Sequence, residues 1–392
     1  MRKRAAVLLV LLGVVAAGGA NAPAKGGEQE VYGLLTAVRG SALARLDPVT
    51  LEPLARTRVQ LGRLNGFAYD EWHGYLALDD GYRLRIVGLS QLAPRATLRL
   101  GTADPTALAW LSWDTIVVVR RHRVLAVDWM LRKVRTRATF SGDVVAQARG
   151  DDELVLLLAP SGSLGPARLL VVRPTGATRI VSLPGIAAGT EWTTDQPPTG
   201  KTQVPGLALD AEHGTAYVTS GGAVVEVPLR GTPVSHLLHG RFAKSISGRW
   251  ESAAWLGNAR LAVAGSVSAD GTTSTPTGLA VVDTRSWSVV ASRPTTSFVV
   301  RWGELALTAG VTLDGLGQRQ GSAVAAVDRT GAERWTALAG VGSGFQAVTA
   351  AHGYVTVDGN RLAVLDLGTG RVLATRDAPL PFVLSLRTHD TG

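Results

Sequence analysis

Histidines and paired carboxylates are the residues in this 392-residue chain most able to ligate a metal or move a proton near neutral pH. His73, His213 and His352 recur in one local setting: DEWHG, DAEHG and AAHG. Equivalent turns of a repeat lie far apart around a ring, so these three cannot share an ion. They read as histidines that stabilise tight turns. His236 and His239 give an H-x-x-H spacing, which binds metal when both side chains share one helix face. Here SHLLH reads as a strand, where positions three apart point to opposite faces. Asp79-Asp80-Gly81, Asp270-Gly271 and Asp314-Gly315 offer oxygens to calcium, but none has the ligand count of a complete loop. Turn chemistry accounts for them. Asp151-Asp152-Glu153 reads as a solvated charged turn. No G-x-S-x-G elbow occurs, and Gly340, Gly342 and Gly344 lack the following helix that a phosphate cradle needs. The expectation is therefore no catalytic residue, no metal and no cofactor, with an enzyme the less favoured class.

Charge is more informative. The formal net charge is +9. Residues 83–137 hold eleven basic residues (Arg83, Arg85, Arg95, Arg99, Arg120, Arg121, Arg123, Arg132, Lys133, Arg135, Arg137) and three acids (Asp104, Asp114, Asp128). A one-sided basic sector suits an anionic partner. Solvated arginines on outer strands explain it equally well. Lys occurs only at positions 3, 25, 133, 201 and 244. That bias reflects codon composition better than nucleic-acid recognition.

What positions these residues is a repeat. Residues 345–376, FQAVTAAHGYVTVDGNRLAVLDLGTGRVLATR, read as four short strands. The turns fall at Ala351–Gly353, Asp358–Asn360 and Gly368–Gly370, where Gly tolerates positive φ. A four-stranded meander cannot bury both its faces alone. Radial stacking against similar sheets solves this, which predicts an all-β single β-propeller. Full units begin near Asn65, Pro105, Asp143, Val204, Trp250, Ser297 and Phe345. Residues 31–61 lack a first strand, and PFVLSLR at 381–387 is a first strand without a blade. Pairing the two closes the ring and removes exposed sheet edges. The result is about eight blades, or seven if the weakest unit, 143–186, is not one.

The domain reading is a signal peptide at 1–24, a linker at 25–30 and the propeller at 31–392. Arg2-Lys3-Arg4 is a basic start, and Ala5–Ala17 is an apolar run too short to span a bilayer comfortably. No later segment is long and apolar enough to cross a membrane. The chain has no Cys, which excludes disulfides, thiolate chemistry and lipid attachment through Cys. The expected location is secreted or extracytoplasmic, as a monomer, with no nucleic-acid partner.

The units resemble bacterial exported propellers of the YVTN and PQQ-like repeat type. The carrying residues are Asp366-Leu367-Gly368-Thr369-Gly370, and Asp328-Arg329-Thr330-Gly331 followed by Trp335. The second resembles the tryptophan-docking motif of PQQ-like blades, one residue short. The resemblance implies that Trp335 packs on the neighbouring blade. It implies a fold and not a function. A quinoprotein relative is disfavoured, because neither vicinal cysteines nor a carboxylate cluster for calcium is found.

The meander also sorts the loops. Turns between a blade's first and second strands (A–B), and third and fourth (C–D), lie at one end. B–C turns and the D–A links between blades lie at the other. The A–B turns are short, whereas insertions at 159–168, 264–278 and 308–322 (B–C) and at 186–204 and 240–249 (D–A) share one end. Loops that grow on one face are where repeat scaffolds carry binding. Trp and Arg are favoured anchors, so the candidate binding residues are Arg120, Arg121, Arg123, Trp192, Arg241, Lys244, Arg249, Trp250 and Arg319. The favoured function is a binding or scaffold module of the cell envelope or exterior, with a protein or an anionic envelope polymer as partner. The alternative is a lyase or hydrolase on a small molecule or glycan at the central mouth.

Overall fold

A computed structural model describes residues 30–384 apart from 38–39, 60–63, 71–72, 102–104, 151, 193–199, 240–249, 268–273, 314–318, 358–360 and 378–380. The expected leader at 1–24, and the 25–30 segment except Glu30, lie outside the described residues. Among the described residues no helix is long and apolar enough to cross a membrane.

The strands form eight antiparallel meanders. We number the blades from the chain's first strand. Blade 1 comprises Val31–Ala37, Gly40–Leu46 and Pro53–Val59, with Phe382–Leu384 as its innermost strand. That last strand pairs Tyr32 with Leu384, Gly33 with Val383 and Leu34 with Phe382. The ring is therefore closed by the two ends of the chain, as the orphan strand predicted. Blades 2 to 8 open with Gly66–Asp70, Pro105–Trp110, Asp143–Arg149, Gly206–Asp210, Trp250–Gly257, Phe298–Trp302 and Gly342–Val348.

Burial explains the sequence pattern. The two middle strands of each blade are covered on both faces by neighbouring blades. They read as continuous apolar runs, such as Thr115–Arg120 (TIVVVR) and the wholly buried Leu154–Ala159 (LVLLLA). Outermost strands alternate or face water, as in Ala93–Arg99 and Lys133–Thr139. The core is thus divided into eight clusters, each straddling one seam between adjacent blades. Leu43 and Val59 of blade 1 meet Leu76, Leu78 and Val87 of blade 2. Ala44 and Leu46 of blade 1 meet Tyr354 and Val364 of blade 8.

The unit at 143–186 is a blade, so the seven-bladed alternative is corrected to eight. It carries an added strand: Thr178–Trp192 runs on past the blade and pairs with Gly200–Gln203. The insertions expected as long B–C loops are largely paired strand. In blade 6, Arg260–Val267 pairs with Thr275–Asp283, and in blade 7, Leu305–Leu313 pairs with Arg319–Val327. Register shifts at Gly265/Ser266 and Ala309/Val311 mark bulges where each ribbon leaves its blade.

Candidate functional site

The lengthened hairpins are fixed at their bases. At Gly310 a Cβ would lie 1.9 Å from the Thr295 carbonyl oxygen and 2.2 Å from Ser322 Oγ, so only Gly lets the blade 7 ribbon pack on the D–A link beside it. Ser322 Oγ donates to that Thr295 oxygen at 3.2 Å, and the Val311 N–H donates to Ser297 Oγ at 3.0 Å. In blade 4, Gly189 has a φ of +114°, and its Cβ would meet the Ser163 carbonyl oxygen at 2.1 Å. The added ribbon therefore lies against that blade's own B–C turn. Blades 4, 6 and 7 are thereby lengthened at the B–C end. The A–B turns at the other end are tight, as at 303–304 and 258–259.

A cleft of about 330 Å³ opens at the B–C end between blades 3 and 4, lined by His122, Phe140, Ser141, Gly142, Pro160, Ser161 and Arg168. Arg168 Nη2 donates to the Ser141 carbonyl oxygen at 2.6 Å and to Ser141 Oγ at 3.1 Å. His122 Nδ1 lies 3.1 Å from the Gly142 carbonyl oxygen, which can only accept, so Nδ1 donates to it. Ser161 Oγ donates to Asp143 Oδ1 at 3.1 Å. Cations and hydroxyls at the rim of a small cleft suit an anionic or hydroxyl-rich group. His122 sits in the two-residue turn between the strands that end at Arg120 and begin at Arg123; its chain neighbours Arg121 and Arg123 are exposed at the same end of the ring, and Arg168 is the one arginine that lines the cleft.

Arg120 does not belong with them. It is 3% exposed, and Nη2 donates to Asp79 Oδ1 at 2.6 Å while Nη1 donates to the Gly81 carbonyl oxygen at 2.7 Å. Asp79 is itself fully buried. The last residue of a middle strand points into the seam, so Arg120 joins blade 3 to blade 2. Its place among the surface anchors is corrected. The backbone of Trp192 pairs with Gly200, that of Trp250 with Ser266 and that of Arg319 with Leu313, all at the B–C end. Arg241, Lys244 and Arg249 lie outside the described residues.

At the opposite end the turn histidines act as expected. His73 Nδ1 is 3.0 Å from Asp70 Oδ2, and His213 Nδ1 is 2.8 Å from Asp210 Oδ2. The Asp210 hydrogen bond raises the His213 pKa. In blade 8, Thr349 stands where the other two turns have Asp; its Oγ1 accepts from the His352 backbone N–H at 3.0 Å rather than from the ring, and burial lowers the His352 pKa. His236 and His239 part company: His236 stacks on Trp287 at 3.7 Å and bonds Glu226, while His239 bridges to Ser288 through its backbone. Asp79-Asp80-Gly81 is a turn plus an ion pair, with the Gly81 N–H on Asp79 and the Tyr82 and Arg83 N–H groups on Asp80.

A second pocket of about 310 Å³ lies at this end between blades 4 and 5, lined by Asp152, Glu153, Glu212, His213 and Arg230 among others. Glu153 is 9% exposed, which corrects its reading as a solvated turn residue. Burial, together with hydrogen bonding to Asp152, pushes its carboxyl up to about 7. Asp210, Glu212 and His213 each bring a ligand atom within 4.8 Å of the others, a grouping able to hold a cation, although Asp210 already bonds His213. Neither pocket was visible in the sequence. Each combines turns from two blades, and the Asp-x-x-His spacing at 210–213 recurs at 70–73, so it did not single out the second.

The fold thus defines an eight-bladed β-propeller, with one built-up face at the B–C end. No family model and no curated protein matches the chain. Solved propellers do. The dihydro-heme d1 dehydrogenase NirN is 14% identical with a TM-score of 0.59, covering 94% of this chain and 77% of that one. Saccharomyces cerevisiae Sqt1 is 10% identical with a TM-score of 0.52, covering 80% and 84%. BamB from Moraxella catarrhalis is 13% identical with a TM-score of 0.46, covering 87% and 94%. At such identities the likeness concerns the fold alone. Trp335 packs as the tryptophan-docking resemblance implied: it is 7% exposed, and Nε1 donates to the Leu367 carbonyl oxygen of blade 8 at 2.7 Å.

Proposed function

We propose that this chain is an exported binding or scaffold module of the cell envelope or exterior, of the YVTN/PQQ-like kind, that takes its partner on the B–C end. One observation carries the reading. The lengthened hairpins of blades 4, 6 and 7, and the added ribbon of blade 4, all extend the same end, rooted by close glycine contacts. Random growth of loops would spread over both ends. Paired hairpins rooted at their bases, on the same end as a cleft that carries Arg168, supply a preformed surface, which limits the ordering cost of binding. Arg121, Arg123 and Arg168 suit an acidic protein surface or an anionic envelope polymer.

The test is retention of envelope material on immobilised protein. Changing Arg121 and Arg123 to Ser, or trimming the blade 7 hairpin only beyond its Val311–Gly321 pair, should lower retention severalfold while the melting temperature stays near that of the parent. Arg120 is left intact, because its loss would act through stability. Equal loss on changing Asp152 at the opposite end, with the B–C variants unaffected, would refute the assignment.

A further inference from the structure

The C–D turns offer an internal comparison. In blades 1, 2, 3, 6 and 8 each turn ends in a residue at positive φ: Leu51, Leu92, Arg132, Trp287 and Gly370. The two apex residues before it are Val49-Thr50, Ser90-Gln91, Met130-Leu131, Arg285-Ser286 and Gly368-Thr369. Among these five, only blade 3 places two long apolar side chains at the apex. The apolar residues of the other turns fold inward, as do Leu51 at 1% and Leu92 at 7% exposure. Met130 and Leu131 are 54% and 63% exposed. Trp113, in the A–B turn of the same blade, is 55% exposed.

The apex is held out rather than left loose. The Trp129 indole packs on Tyr75 at 5.0 Å and on Trp110 at 6.3 Å. Its Nε1 donates to the Trp113 carbonyl oxygen at 3.4 Å, tying the two turns together. Asp128 Oδ1 accepts the Leu131 N–H at 2.8 Å. Behind the apex follow Arg132, Lys133, Val134 and Arg135, all exposed. The acids of these turns are engaged locally: Asp128 on Leu131, and Asp114 on Ser112 and Thr115.

Single exposed apolar residues are ordinary. Three on two joined turns, backed by a row of cations, make an interfacial anchor: the apolar tip enters below the headgroups while Arg and Lys meet the phosphates. We propose that the A–B/C–D corner of blade 3 docks on an anionic phospholipid surface, through Trp113, Met130 and Leu131 with Arg132, Lys133 and Arg135. Exposed apolar side chains on turns joined by the Trp129 hydrogen bond, next to exposed cations, suit the boundary between charged headgroups and acyl chains better than a wholly polar acidic surface. The corner lies at the end opposite the rooted hairpins, so docking leaves the B–C face open. The proposal does not depend on what that face binds.

The test is sedimentation with vesicles of mixed phosphatidylglycerol and phosphatidylcholine, against phosphatidylcholine alone. Residues 1–24 are removed, since an apolar leader would bind vesicles itself, and the ring closes through residues 31–384 without them. The parent should partition to the anionic vesicles and be released by salt. Met130→Ser with Leu131→Ser should lower partitioning about tenfold or more. Arg132→Ser, Lys133→Ser and Arg135→Ser together should lower it by roughly a hundredfold. The difference in emission between the parent and Trp113→Phe should shift to the blue on vesicle binding. All these side chains are exposed, so the variants should melt with the parent; Met130→Gln with Leu131→Gln gives the same readout if the Ser pair does not. Failure to bind anionic vesicles would overturn the proposal. So would binding that ignores the Met130 and Leu131 changes, or binding to soluble polyglutamate but not to vesicles, which would point to an acidic protein.

Discussion

The seam between blades 2 and 3 and the seam between blades 5 and 6 are built from the same aromatic parts. In the first, Tyr75 stacks on Trp110 at 6.5 Å and meets Trp129. In the second, Tyr217 stacks on Trp255 at 4.9 Å and meets Trp287. Each seam also has a His–Asp turn in its earlier blade, His73–Asp70 or His213–Asp210. At the B–C end the two diverge. Arg120 reaches back from blade 3 and donates to the Gly81 carbonyl and to Asp79. Glu251 reaches back from blade 6 and accepts the Gly221 N–H at 2.8 Å. A cation does in one seam what an anion does in the other. Sheet-on-sheet packing constrains volume and shape closely. A buried polar group demands only that some partner of the right sense be present. The apolar half of a seam therefore repeats, while the polar half is free to invert.

Removing the shared parts should cost the two seams alike. Trp110→Ala and Trp255→Ala should each lose about 3–5 kcal/mol in urea unfolding; a large inequality would break the equivalence. Removing the inverted parts should separate them. Arg120→Met strands the buried Asp79 carboxylate and should cost about 3–5 kcal/mol, with part recovered when Asp79→Leu is added. Glu251→Ala strands a backbone N–H and should cost about 1–3 kcal/mol.

The seam between blades 4 and 5 sharpens the comparison through pH. Glu153 is raised from 4.5 to about 7 in the folded protein. A raised carboxyl stabilises the fold fully below its unfolded pKa, and that contribution is lost as pH rises through the folded value. Stability should therefore decline between about pH 4.5 and 7 by this term, and Glu153→Gln should flatten that stretch of the unfolding-midpoint curve. The smallest effect is at His213. Its pKa is raised by Asp210, so its contribution is whole below the unfolded value and fades as pH climbs past the folded one. A proton NMR titration should show its midpoint fall when Asp210 becomes Asn, with little change in melting temperature.

Much of the ring was legible along the chain. The eight units, the blade boundaries at Pro105, Asp143 and Trp250, and closure through residues 382–384 follow from local rules: apolar runs of strand length, turn residues between them, a first unit short of one strand and a spare strand after the last unit. The turn roles of His73 and His213 follow too, because Asp and His three apart meet within one turn. The site was less legible. Arg120 opens the charged run RRHR and looks as exposed as the three residues after it, and only the approach of blade 2 carries it from surface to core. Glu153 ends a charged run, yet blade 5 buries it. The insertions at 264–278 and 308–322 look like loops, because nothing in their composition shows that each half pairs with the other and rests on a neighbouring link. Strand period and turn chemistry act over a few residues and can be read in one dimension. Burial, ion pairing and clefts depend on which blade stands next, a distance in sequence of 40 residues or more for Asp79 and Arg120, and only the tertiary structure decides them.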